Sequence, residues 1–118
     1  MVFVFGSNLA GIHGAGAALY ARKYHGAIYG QGIGLQGSSY GIPTKDRNIH
    51  TLPIETIEMY VDMFINFAKL NKRIQFQVTR IGCGLAGYKD TDIAPLFKNA
   101  PSNCVLPEEW LCLKNTNC

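Results

Sequence analysis

The spacing of apolar residues changes several times along the chain, and each change marks an element. Val2-Phe3-Val4-Phe5 is an unbroken apolar run of strand length, as expected of a strand covered on both faces. A glycine-rich loop, 6–14, follows it. Over Gly14 to Tyr24 the small residues Ala15, Ala17, Ala18 and Ala21 predict a helix that can lie close against a sheet. Ala27 to Tyr29 and Ser39 to Pro43 read as further short strands, with Gly30-Gln31-Gly32-Ile33-Gly34 as a mobile connection between them. The clearest periodicity spans Ile54 to Leu70, where Ile57, Val61, Phe64, Ile65 and Ala68 share one stripe. Pro53 stands near its start, and Glu55 and Glu58 fall where the helix dipole favours acids. Gln75 to Arg80 alternates as a strand, and Asp90 to Lys98 forms a last short helix with Asp90 or Asp92 as N-cap. Cys104 to Leu106 gives the final strand.

The order β, α, β, β, α, β, α, β predicts an α/β protein arranged as a three-layer α/β/α sandwich. In open sheets of this kind ligands sit beyond the carboxyl ends of the strands. Three glycine-rich or polar loops fall there: 6–16, 44–51 and 82–89. A chain of 118 residues suffices for one domain, with a core over about residues 2–110 and a loose tail after Trp110.

Composition narrows the picture further. Apolar residues make up 47% and charged residues 16% of the chain, which excludes a disordered polymer. The net charge of +3 is spread over Arg22-Lys23, Lys45 with Arg47, and Lys72-Arg73, so most basic residues read as solvated surface rather than a nucleic-acid arm. The opening apolar run is too short for a signal peptide or a membrane span, so a cytoplasmic protein without a membrane partner is expected. The four cysteines form no CxxC and the three histidines no HxxxH, which predicts reduced thiols and no metal site.

The candidate chemistry lies in Thr79-Arg80-Ile81-Gly82-Cys83-Gly84-Leu85-Ala86-Gly87, a strand entering a Gly-x-Gly-x-x-Gly loop. Glycines at this spacing let several backbone N–H groups converge on an anion such as a diphosphate. The dinucleotide-binding form of the pattern opens the first βα unit, with an acidic residue about 20 positions later. Here the loop lies too near the C-terminus for that, so a different phosphate-binding architecture is expected. The first loop, Gly6 to Gly16, also joins a strand to a helix N-terminus and carries the amide of Asn8.

Together with Pro43-Thr44-Lys45-Asp46, these loops resemble the macrodomain superfamily of ADP-ribose binders. The nearest branch holds terminal ADP-ribose protein glycohydrolase and the DNA ADP-ribosyl glycohydrolase antitoxins. Asn8 with Gly16-Ala17 matches that branch's first strand and helix start, Tyr40-Gly41-Ile42-Pro43-Thr44-Lys45 its Thr-Lys strand, and Arg80 to Leu85 its last strand and loop. The resemblance covers roughly Val4 to Val105. It implies a macrodomain-like fold with a mixed central sheet, and it places Asn8 near the distal ribose. The diphosphate falls to the loops around Gly14 to Gly16 and around Gly82, Cys83, Gly84, Leu85, Ala86 and Gly87, and Lys45 after Thr44 takes the catalytic position.

A neutral lysine amine can attack the anomeric carbon of an ADP-ribosyl group if desolvation or neighbouring charge lowers its pKa. Arg47 supplies such charge, and Asp46 opposes it. Where the protein glycohydrolase has an acid after Gly-Cys-Gly-Leu, this chain has Ala86, so one general acid or base is missing. The DNA-directed antitoxins also lack it, which moves the expected substrate toward ADP-ribosylated nucleic acid rather than protein. Two functions follow: a lysine-dependent ADP-ribosyl glycohydrolase without a cofactor, working as a monomer, or a non-catalytic binder or sponge of ADP-ribose or a related NAD-derived nucleotide.

Other residues admit two readings each. His13 touches phosphate or carries a proton, or is a surface-loop histidine. Cys83 is a reactive thiol lowered by nearby N–H groups, or a small side chain filling tight space, which weighs more. Tyr88 stacks on adenine or ribose, or edges the core. Asp90 and Asp92 read as helix caps before catalysts.

Overall fold

Residues 1–111 are described by a computed structural model, in which the first apolar run begins a longer strand than its hydrophobicity suggests. Strand β1 (Val2–Asn8) continues through Gly6, Ser7 and Asn8 because backbone pairing, not side-chain polarity, carries it onward. It runs parallel to β3 (Ser39–Lys45) on one side and to β4 (Phe76–Val78) on the other. Strand β2 (Gly34–Gln36) is antiparallel to β3, and β5 (Cys104–Val105) is parallel to β4. The result is a five-stranded mixed sheet in the order β2-β3-β1-β4-β5, so β1 is central. Pro43 is tolerated in β3 because β2 pairs only as far as Gly41, which leaves the proline's donorless nitrogen on an unpaired edge.

Alternation along β1 splits its side chains between two apolar clusters. Val2 and Val4 join the larger one, with Ile57, Val61, Phe64, Ile65 and Ala68 of helix α2 (Ile54–Leu70). Phe3 and Phe5 join the smaller one, with Ala18 and Ala21 of helix α1 (Gly16–Tyr24). The predicted stripe of α2 is its buried face, and Phe64 contacts the rings of Tyr40 at 5.1 Å and Phe76 at 5.3 Å. The last turn of α2 and the turn after it are fastened from outside the helix. Asn103 Nδ2 donates to the carbonyls of Ala68, Asn71 and Ile74 at 3.0, 3.1 and 3.0 Å.

Three expectations are corrected. Ala27 to Tyr29 forms no strand; the antiparallel partner of β3 is Gly34–Gln36 instead, because the Gln36 amide accepts the N–H of Ile28 at 2.8 Å and holds 27–29 in a turn. The connection 30–34 is not loose. Gly30 N–H donates to Gly11 at 2.9 Å, Ser7 Oγ donates to the Gly32 carbonyl, and a Cβ on Gly32 would lie 2.1 Å from the Asn8 carbonyl, an approach only glycine permits. The last helix is α3 (Asp90–Ile93) followed by a 3₁₀ turn over Ala94–Phe97, since Pro95 has no N–H to continue α-helical pairing. Its N-cap is Lys89, whose N–H donates to Asp92 Oδ2 at 3.0 Å.

Trp110 is fully buried, 5.2 Å from the ring of Phe97, and its indole N–H donates to Asp90 Oδ1 at 2.6 Å. The tail expected beyond it, including Cys112 and Cys118, lies outside the described residues from 112 onward. Among the described residues no helix is long and apolar enough to cross a membrane.

Candidate functional site

Parallel pairing of β1 with β3 and β4 brings the loops that follow these three strands to the same end of the sheet. They enclose a cavity of about 570 Å³. Asn8, Gly14, Gly16, Thr44, Lys45, Gly82, Cys83, Gly84, Leu85 and Ala86 line it, so residues far apart in sequence converge as the motifs suggested. Gly87 and Tyr88 do not line it. The Gly87 N–H closes a turn onto Gly84 at 3.0 Å, and the Tyr88 hydroxyl donates to the Leu52 carbonyl at 2.6 Å while its ring packs against the larger core.

Much of the wall is backbone. Helix α1 starts with no side-chain cap and no acid in its first turn, and its first pairing N–H belongs to Leu19, which donates to Ala15 at 3.2 Å. The N–H groups of Gly14, Ala15, Gly16, Ala17 and Ala18 meet no acceptor among the described residues. The same holds for Gly84, Leu85 and Ala86 in the third loop. Two runs of unpaired donors on one cavity, one of them at a helix N-terminus, make a site for an anion. Gly82 sets the second run at φ +74°, and a Cβ there would press on Ile93 at 3.1 Å.

The side chains divide the remaining work. Asn8 is buried and uses its amide twice on one residue, accepting from the Ile12 N–H at 2.9 Å and donating to the Ile12 carbonyl at 2.7 Å. It braces the first loop. Thr44 Oγ1 donates to the Ser7 carbonyl at 3.3 Å, tying β3 to β1 at the cavity floor. Lys45 is half-buried and makes no ion pair among the described residues. Its neighbour Asp46 turns away into its own loop, accepting the N–H groups of His50 at 3.0 Å and Asn48 at 2.8 Å, and these bonds hold its carboxyl below the ordinary carboxylate range. Arg80 also lines the cavity, but its guanidinium is bound to Asp90 through Nε–Oδ1 at 2.9 Å and a second contact through Nη2.

Asp90 is not the N-cap; its carboxylate gathers Arg80, the Trp110 indole and the Cys83 thiol, and the Arg80 bonds bring its pKa down to about 2. Cys83 behaves oppositely. Burial first, and its bond to Asp90 second, push the thiol up to about 12, so it is a neutral packing group at physiological pH and not an activated nucleophile. His13 is fully buried rather than on a surface loop, with Nε2 3.0 Å from the Gln31 carbonyl and 3.2 Å from Gln36 Oε1. It fastens the first loop to the segment before β2. Among the described residues no group of three His, Cys, Asp or Glu is placed to hold a metal ion.

Sequence reasoning missed Ile49, which lines the cavity with φ +64°, a conformation costly for a β-branched residue. No residue pattern signals it, since propensity argues against isoleucine there. Compared with known proteins, the chain matches no family model, no curated relative and no solved structure.

Proposed function

We propose that this chain is a three-layer α/β/α protein of the macrodomain type, that its cavity binds ADP-ribose, and that it hydrolyses ADP-ribosyl adducts through Lys45. The layering is supported by the two apolar clusters on opposite faces of β1. The diphosphate lies against the unpaired N–H groups of Gly14 to Ala18 and Gly84 to Ala86. The observation that carries the catalytic reading is that Lys45 is the one cavity-lining cation, among the described residues, without a carboxylate partner. In its neutral form the Lys45 amine attacks the anomeric carbon, the bond to the carrier breaks, the carrier leaves with a proton from water, and water then releases ADP-ribose from the lysine adduct.

Among the described residues no carboxylate side chain lines the cavity to act as acid or base, and this favours a carrier that leaves readily; it is also what favours the second reading, a binder without turnover. A cytoplasmic monomer acting on ADP-ribosylated nucleic acid in preference to protein fits the first reading. Calorimetric titration with ADP-ribose, with AMP and NAD as controls, tests the cavity, micromolar affinity corresponding to about 8 kcal/mol. Turnover of ADP-ribosylated DNA by the wild type but not by Lys45→Ala, at unchanged ADP-ribose affinity, establishes the hydrolase. Binding with no turnover by either protein establishes the sponge.

A further inference from the structure

Helix α2 buries one face against the sheet and leaves the opposite face bare. On that outer side Met59, Met63 and Leu70 are 64%, 49% and 84% exposed, and with the exposed Asn66 they recur at intervals of four, three and four residues. At about 3.6 residues per turn these four positions fall on one narrow stripe, opposite the buried Ile57, Val61, Phe64 and Ala68. Among the described residues none of α2 lines the cavity. Single apolar side chains scattered over a surface need no partner, but a row of them at heptad spacing along one helix is a seam for another helix.

The two flanks of the stripe differ in chemistry. Asp62 and Lys69, both exposed, precede Met63 and Leu70 on one side, and the half-buried Tyr60 and Phe67 follow Met59 and Asn66 on the other. Neither Asp62 nor Lys69 has an ion-pair partner among the described residues, and Asp62 stands one turn from a like charge, Glu58. A second α2 laid antiparallel on this face, with the crossing at 64–65, would meet all of these positions at once. Met59 would face the partner's Leu70, and Met63 the partner's Asn66. On the flanks Asp62 would face the partner's Lys69, and Tyr60 the partner's Phe67, each contact occurring twice by the two-fold symmetry. A parallel pair would instead set Asp62 beside the partner's Phe67 and leave both charges uncompensated. A basic peptide would bring its cations against Lys69 and against Lys72 and Arg73 just beyond the helix.

We propose that the outer face of α2 is a self-association surface, on which a second copy of this chain docks its own α2 antiparallel. The inference uses residues outside the cavity and does not depend on the ADP-ribose reading. One helix face per chain makes an interface below the roughly 1,200 Å² of long-lived complexes. The pair is therefore reversible, each cavity stays complete within its own chain, and the dilute protein is the monomer. The test is sedimentation velocity of the full chain at rising concentration up to about 1 mM, the upper end of weak association. Met63→Glu is expected to raise the dissociation constant about tenfold or more, since it sets a charge in the middle of the seam. Asp62→Lys alone and Lys69→Asp alone are each expected to weaken pairing several-fold by opposing like charges across the flank. An equal mixture of these two variants is expected to pair as the wild type does, because the exchanged charges then complement one another only in the antiparallel register. Equal thermal midpoints of the dilute proteins show that the variants are folded. The proposal is overturned if the wild type sediments as a monomer up to the highest concentration, if Met63→Glu associates as the wild type does, or if the mixture associates no better than either charge variant alone.

Discussion

Asp90 shows how much one carboxylate can organise at the edge of a cavity it does not enter. It accepts from Arg80 and from the Trp110 indole, and it receives the Cys83 thiol, so it joins the third loop to the last buried aromatic. Its pKa is brought to about 2 from an ordinary 3.8, so the folded state gains from its ionised form. The sign follows: that stabilisation is present above about pH 4 and is lost as pH falls toward 2. Asp90→Asn is therefore expected to lower the urea midpoint at neutral pH, with the gap from wild type closing below pH 4; an unchanged gap across that range refutes the assignment. The same bond predicts chemistry at Cys83. With its thiol pushed up to about 12, Cys83 should resist iodoacetamide at neutral pH in native protein, as read by peptide mass mapping, and should alkylate faster in Asp90→Asn, where one cause of the upward shift is gone.

The elements are built on backbone contacts that side-chain patterns only partly announce. Gly32 illustrates this at the seam between the first loop and the run into β2, where its missing Cβ lets two backbones touch. Gly32→Ala must separate them, and the obstacle is a carbonyl rather than a flexible side chain. Destabilisation of about 2 to 3 kcal/mol is expected, seen as a fall of the thermal midpoint of roughly 4 to 8 °C per kcal/mol; a midpoint within a degree of wild type would show that the seam is not tight. The long stripe of α2 and the apolar start of β1 were legible because each has one period and one buried face. The convergence of Asn8, Lys45 and the Gly82 loop was legible because three glycine-rich or polar loops each fall beyond the carboxyl end of a strand, and the pairing of β1 with β3 and β4 is parallel. The missed features share a cause. The buried His13 and the polar half of β1 depend on partners 18 to 37 residues away, such as Gln31 and Gln36 for His13 and Ile42–Lys45 for β1, and no local pattern encodes those contacts.

At the scale of the whole molecule, the sheet sets an acid-free N-terminal third beside a cavity whose wall is rich in unpaired N–H groups. Most of these donors sit on exposed or half-buried residues, where water can pair them until a ligand takes its place. A ligand that supplies the acceptors and binds only the folded chain raises stability by an amount set by its affinity and its concentration. An ADP-ribose dissociation constant near one micromolar gives about 2.7 kcal/mol at a hundredfold excess over that constant. For a domain of this size the thermal midpoint should rise by several degrees. AMP, which has one phosphate and no distal ribose, should raise it far less at equal concentration. A discriminating variant must reach the donors themselves. Gly84→Pro removes one N–H at a site where an added Cβ meets open space. The expected result is a nearly unchanged midpoint without ligand and a smaller rise with ADP-ribose. An undiminished rise would mean that the Gly84 N–H does not hold the diphosphate, and that the anion sits on the α1 N-terminus alone.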